Sequence, residues 1–231
     1  MFYGFDPTYI LIIPAMIFAL YAQSKVNGTF QKYLQVRSQK GYTGYEVAKS
    51  ILDASGASNI TLEPVEGMLS DHFDPRNNKL GLSKEVYSGN SVASLAVAAH
   101  ETGHALQHKD GYSPLAFRNA IIPVAQIGSF LAIPLFILGL LFSSGGTLLM
   151  DIGIWLFAGS VAFTVITLPV EFNASKRALQ MLEAGGYLNS DEVPQAKQVL
   201  DAAALTYVAA TAVALTQLLR LILLRNSRRR G

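Results

Sequence analysis

Cysteine is missing from this chain. Disulfides and thiolate metal sites are thereby excluded, and redox compartment leaves no trace in the composition. Charge is scarce as well. Only 15% of residues are charged against 51% hydrophobic, where a soluble domain carries about 25% charge. That shortfall excludes an ordinary water-facing surface over much of the chain. The net charge of +2 is too small to point to a nucleic-acid partner. A basic leader is also missing: the only early charge is Asp6, and the chain runs on through Tyr21-Ala22-Gln23. The N-terminal segment therefore reads as an uncleaved anchor, since a cleavable signal opens with basic residues and ends at a small-x-small site. No internal repeat or low-complexity tract is visible.

What is present in abundance is apolar length. Tyr9 to Ala22, Asn119 to Thr147, Ile152 to Val170 and Ala202 to Leu219 carry no charge. A bilayer-crossing helix needs about 20 mostly apolar residues. The second and third stretches qualify outright, the fourth is adequate, and Phe2, Tyr3 and Phe5 extend the first. Pro14, Pro123 and Pro134 are compatible with spanning helices, because neighbouring helices can satisfy the freed carbonyls. Ser143-Ser144-Gly145-Gly146 divides the long central run into a tight hairpin of helices at about 120–142 and 148–170. Arg225, Arg228, Arg229 and Arg230 form a basic membrane flank.

The organisation expected is an anchor at 1–22, a water-facing domain at 23–118, a transmembrane hairpin at 119–170, a polar segment at 171–201, and a hydrophobic helix with a basic tail at 202–231. Within the second part, Gly44 to Ser55 has a helical apolar face of Val47, Ala48, Ile51 and Leu52. Ile60 to Leu69 alternates like a strand, and Asp71 to Ser83 reads as a turn followed by a strand. Leu80-Gly81-Leu82-Ser83 is either an edge able to accept a peptide or an internal structural strand. Gly89-Asn90-Ser91 caps a helix expected over Ser91 to His108. The fold class is mainly α: multi-pass membrane helices with a small α+β domain.

That last helix carries His100-Glu101-Thr102-Gly103-His104. Positions i and i+4 lie about 40° apart around a helix and one turn along it, so both imidazoles can reach one ion. Catalytic zinc takes neutral histidine nitrogen and keeps one position for water. Glu101, between them, is placed to act as general base. The preceding residues, Val92, Ala93, Leu95, Ala96, Val97, Ala98 and Ala99, make the helix apolar nearly all round. Unpaired His and Glu on such a buried helix would be costly, which argues against two surface histidines with a salt-bridging glutamate.

A third ligand is needed, and His72, His108, Asp74, Asp110 and Glu171 are the candidates. Glu171 is preferred: it is the first charge after nineteen uncharged residues and opens a helix-patterned segment running to Leu179. His108 continues the i, i+4 series, but it lies about 12 Å from His100 along the axis, too far to share the ion. His72, Arg177 and Tyr207 are candidates for polarising a substrate carbonyl.

His100 to His104, an apolar hairpin, and then Pro169-Val170-Glu171-Phe172-Asn173-Ala174-Ser175 resemble the YugP-like membrane zinc metallopeptidases. Asp71-His72-Phe73-Asp74-Pro75-Arg76 and Ala202-Ala203-Ala204-Leu205-Thr206-Tyr207 extend the resemblance over nearly the whole chain. It implies a membrane-bound peptidase whose 23–118 part is a zincin-like metallopeptidase domain, with one zinc per chain held by His100, His104 and Glu171. More distantly the layout is similar to HtpX and the CAAX prenyl proteases. Those relatives have an acid four positions after the third ligand, where this chain has Ser175; Asp74, Asn173 and Asp201 are the expected substitutes for it.

The expected partners are a lipid bilayer and a membrane-protein or peptide substrate, without nucleic acid. Lys and Arg flanking the polar segments favour a cytoplasmic active site, although the arginine tail opposes this if all four stretches span. A non-enzymatic membrane scaffold with a structural zinc is the rival reading; the intact Glu101 disfavours it. A transporter is disfavoured too, since Asp151 and Arg220 at the edges are nearly the only charges near the apolar stretches.

Overall fold

A computed structural model describes residues 7–142 and 146–230. A short 3-10 turn, Pro7–Leu11, leads into α1 (Ile13–Leu34). There follow α2 (Gly44–Ala54), β1 (Thr61–Val65), β2 (His72–Asp74), β3 (Lys79–Ser83), α3 (Lys84–Tyr87) and α4 (Val92–Lys109). Three long helices complete the chain: α5 (Ser113–Leu141), α6 (Gly146–Ala184) and α7 (Val193–Arg230). The fold is thus mainly α with a small α+β part, as expected. Phe2, Tyr3, Phe5, Asp6 and the Ser143 to Gly145 punctuation lie outside the described residues.

Two compact units emerge. One comprises the described residues of Met1–Ala22, Phe117–Leu168 and Thr206–Gly231; the other comprises Gln23–Ala116 and Pro169–Leu205.

In the first unit the chain is apolar and its helices are long. Among the described residues, Thr8–Leu34, Ser113–Leu141, Gly146–Ala184 and Val193–Arg228 are long and apolar enough to cross a membrane. Helix α5 continues through Pro123 and Pro134. Its packing against α6 depends on missing side chains: a Cβ on Gly128 would stand 2.5 Å from the carbonyl oxygen of Leu156, and one on Gly153 would stand 2.7 Å from that of Ala132. Small residues at such crossings let backbones approach closely, the usual source of helix association in lipid. Phe136, Met150 and Leu221 fill the space beside them. Arg225 clamps Asp151 through two hydrogen bonds of 2.7 Å. Arg228 donates to the carbonyls of Gly139, Leu140 and Phe142, three acceptors at the end of α5 that the helix itself cannot satisfy.

This contact sets a first expectation. Gly153→Leu should lower the melting temperature of the detergent-solubilised protein by several degrees, because the branched side chain meets backbone rather than a movable side chain. Gly159→Leu is the control, since a Cβ there meets only Val124 Cγ1 at 4.0 Å. Equal melting temperatures for the two variants would refute the close crossing.

The second unit has a conventional core. Phe30 and Tyr33 of α1, Val47, Ala48, Ile51 and Leu52 of α2, and most of α4 are buried together with Ala178, Leu182 and Leu200. Thr43 and Glu46 close a capping box at the start of α2: the Glu46 amide donates to Thr43 Oγ1 at 3.2 Å and the Thr43 amide to Glu46 Oε2 at 2.8 Å. Ser91 caps α4, accepting from the Ser94 amide at 3.0 Å. The sheet has the order β1-β3-β2, with β3 parallel to β1 and antiparallel to β2. Leu80 to Ser83 therefore forms the internal strand, and the edges are β1 and β2.

Asp71 stands just before β2 and ties it to the end of β3. Its Oδ1 accepts from the Ser83 amide at 2.7 Å and from Ser83 Oγ at 3.1 Å. Burial pushes its carboxyl above the ordinary range, and the negative charge of Glu101 adds to this, against the opposing Ser83 hydrogen bonds. A carboxyl raised on folding stabilises the fold below its unfolded pKa, and that contribution is lost as pH rises through the folded value. Asp71→Asn keeps the acceptor and removes the charge. It should melt higher than wild type near pH 7.5, with the gap closing toward pH 4. Thermal unfolding across that range is the check; a variant less stable at neutral than at acid pH, relative to wild type, would contradict it.

Candidate metal centre

Helix α4 brings its two histidines to one side by spacing alone. The carboxylate comes from α6, where Glu171, Ala174, Ala178 and Leu182 are all buried. Their three- and four-residue separations make one stripe along the helix, so Glu171 is carried inward by the same face that packs the core. The approach of the helices is close at one point. A Cβ on Gly103 would lie 2.9 Å from the Ala174 carbonyl oxygen and 3.4 Å from its Cα.

One ligand atom each from His100, His104 and Glu171 fall within 4.8 Å of one another. Glu171 Oε2 lies 3.3 Å from His100 Nε2 and 3.5 Å from His104 Nε2. It is nonetheless a buried oxygen without hydrogen-bond geometry to any partner among the described residues. The outer ring nitrogens are occupied. His104 Nδ1 lies 3.0 Å from Gln107 Oε1, and His100 Nδ1 lies 3.2 Å from Ser175 Oγ. With Nδ1 carrying the proton, Nε2 turns a lone pair toward the carboxylate. A carboxylate facing two imidazoles at this range is a place for positive charge, whether a metal ion or the proton of an imidazolium. Two imidazoles and a carboxylate are also a usual catalytic zinc donor set. The residues present therefore fit the ion.

His104 behaves accordingly. Burial disfavours its charged form, but the Glu171 carboxylate and the charge of Glu101 outweigh that and hold its pKa above the ordinary histidine value. Glu101 itself is half-buried on α4 between the two ligands, and its charge acts on both His104 and Asp71.

The other sequence candidates go elsewhere. His108 is exposed and packs against Phe73, with ring centroids 5.8 Å apart. His72 is exposed on β2 with Nδ1 2.9 Å from the Ser70 carbonyl oxygen. Asp74 accepts from the Arg76 amide and Asn77 Nδ2. Asp110 pairs with Arg177 Nη1 at 2.5 Å, and Arg177 Nε donates to Asn173 Oδ1 at 3.0 Å. Tyr207 belongs to the unit of apolar helices.

Of the expected substitutes for an acid at position 175, Asp74 and Asp201 require correction, while Asn173 connects to His104 through Gln107. Asp74 serves its own turn, Asp201 pairs with Lys197 at 2.5 Å on the surface, and Asn173 faces Gln107 and Arg177. Ser175 itself meets His100. Gln107 escaped sequence reasoning altogether, although its place three residues after His104 puts it on the same helical face. That spacing was the available signal.

Two histidines from one helix and a buried carboxylate from a second, reached after an apolar hairpin, define the ligand set of a metallopeptidase-type centre. The chain belongs to the family described as "Putative neutral zinc metallopeptidase", whose model matches residues 8–226. It is 45% identical over 214 residues to the "Putative membrane protease YugP" of Bacillus subtilis (strain 168), covering 93% of this chain and 94% of that protein. No solved structure matches.

Proposed function

We propose that this chain is a multi-pass membrane zinc endopeptidase that cleaves membrane or membrane-associated proteins. The observation carrying this reading is the convergence of His100, His104 and Glu171 to within 4.8 Å, around a buried carboxylate oxygen that lacks a hydrogen-bond partner among the described residues. When bound there, zinc supplies a Lewis acid that acidifies water and polarises a peptide carbonyl. Glu101 takes the proton from the attacking water and passes it to the leaving amine. An extended substrate would pair with a free sheet edge, β1 or β2, through main-chain hydrogen bonds. Membership in the family and the likeness to a protein named a membrane protease support the assignment. The four long apolar helices support a membrane location, and the Lys and Arg around the polar segments support a cytoplasmic active site.

The test uses full-length protein purified in detergent. It should contain about one zinc per chain, as the one such ligand cluster among the described residues implies. Cleavage of membrane-protein substrates should stop with a chelator and return with added zinc. Protein that binds no zinc, or activity indifferent to chelation, overturns the reading. Equally fast cleavage of a soluble casein-like protein would remove the membrane-substrate part alone. Reporter fusions at Gly231 and within Ser83–Asn90 test the orientation; an external signal from the second refutes a cytoplasmic site.

A further inference from the structure

The hydrogen bonds behind His104 can be read outward from a residue whose role has no ambiguity. Arg177 can only donate, and its Nε reaches Asn173 Oδ1 at 3.0 Å. That side-chain oxygen must therefore accept. It also lies 2.9 Å from Gln107 Nε2, which lies 2.8 Å from the Val170 carbonyl oxygen. A backbone carbonyl can only accept, so Gln107 presents its amide nitrogen to α6 on two independent counts. Its oxygen is left facing His104 Nδ1 at 3.0 Å. An amide oxygen can only accept, so Nδ1 carries a proton, and in the neutral ring that a metal requires Nε2 keeps the lone pair directed at Glu171. Gln107 is fully buried, and water is not available to replace any of these partners. At its far end the chain is held by Arg177 Nη1 on Asp110 Oδ2 at 2.5 Å.

His100 has no equivalent. Its outer partner is the Ser175 hydroxyl at 3.2 Å, which can donate or accept and so does not dictate a tautomer.

We propose that Gln107 is a positioning residue that presents His104 Nε2 to the metal, and that Arg177 and Asn173 act through it as a relay. This assignment rests on the zinc reading above. It also gives Arg177 a place distinct from the carbonyl-polarising one considered from sequence: two of its nitrogens are spent on orientation. Outer partners of metal-bound histidines fix the ring and its tautomer, and their loss typically weakens metal binding by about 10–100-fold.

The experiment compares wild type, Gln107→Leu and Gln107→Glu as full-length proteins in detergent. Zinc affinity is measured by competition with a chromogenic chelator, ligand geometry by the absorption spectrum of the cobalt(II)-loaded protein, and folding by the melting temperature of the metal-free protein. Gln107→Leu should bind zinc about 10–100-fold more weakly and alter the cobalt spectrum. Gln107→Glu still accepts from Nδ1 while losing both donations to α6. It should retain zinc affinity within severalfold of wild type and keep the wild-type cobalt bands, even if its metal-free melting temperature falls. Leu and Glu variants equally weak for zinc would show that the helix bridge, not the acceptor, matters, and would overturn the assignment. So would a Leu variant with wild-type affinity and spectrum. Wild type that itself binds no zinc would instead sink the proposed function, and the two failures are told apart by that one measurement.

Discussion

Glu101→Gln should keep about one zinc per chain and lose peptide hydrolysis by at least 10²–10⁴-fold, roughly the contribution of a positioned general base. The two halves of this expectation have separate causes. Zinc retention follows because the converging ligand atoms come from His100, His104 and Glu171; Glu101 is not among them. Loss of activity follows because a carboxamide has the size of the carboxylate but cannot take the proton of an attacking water. The substitution is nearly isosteric at a half-buried position, so the packing of α4 should survive. Removal of its negative charge should also let the pKa of Asp71 fall, since that charge raises it. Zinc content by atomic absorption and initial cleavage rates are the measurements. A variant that loses its zinc would make Glu101 a ligand rather than a base. Wild-type activity in the variant would remove it from the chemistry. If wild type and variant both bind zinc and neither cleaves a broad membrane-protein panel, the scaffold reading takes over. The inactive variant also serves as a trap for substrates in native membranes.

Gly103→Val should weaken zinc binding by roughly 10–100-fold without altering a single proposed ligand. Gly103 lies where α4 meets α6, and even a methyl group there would stand 2.9 Å from the Ala174 carbonyl oxygen. That atom belongs to helix backbone, so it can yield only if α6 moves. Ala174 is one turn from Glu171 on the same buried stripe; displacing it carries the carboxylate away from the imidazoles. Overpacking of this kind costs about 1–3 kcal/mol. Directed against the geometry of the site, it corresponds to roughly 10–100-fold in affinity. Equilibrium dialysis against buffered zinc measures the loss, and the secondary structure by circular dichroism should remain helical. Tight zinc binding by the valine variant would show that the contact between the helices does not hold the ligands in place.

The variants probe different parts of one design. The roles under test are proton chemistry for Glu101, room for Gly103 and direction for Gln107. Residues two and four positions apart on a single helix would thus take up unrelated duties, because each faces a different neighbour.

Several elements were legible before any coordinates. The capped start of α4 at Ser91, the helical face of α2 and the hairpin-like division of the central apolar run follow from local pattern, which a short window of residues already contains. The same holds for the pairing of His100 with His104, since four residues on a helix set their relation. Glu171 could be singled out as a first charge after a long apolar run. The place of β3 could not be chosen between edge and interior, because strand pairing joins residues distant in sequence. Two of the substitutes expected for an acid at position 175 failed for a related reason. Asp74 and Asp201 are more acidic than a serine, but they stand beside partners near them in the chain, Asn77 and Lys197. The serine wins by position.

By itself the sequence determined the kinds of group available and everything governed by helical spacing: a cysteine-free donor set, two histidines on one helix face with a glutamate between them, and apolar helices long enough to span a bilayer. Only the tertiary structure decided that Glu171 closes on those histidines, that Gly103 admits Ala174, and that Gln107 and Ser175 stand behind the imidazoles. The physical reason is that periodicity fixes direction around one helix axis, whereas ligand geometry depends on the distance between two axes. That distance is set by the side chains, and by the single missing one, where α4 and α6 touch.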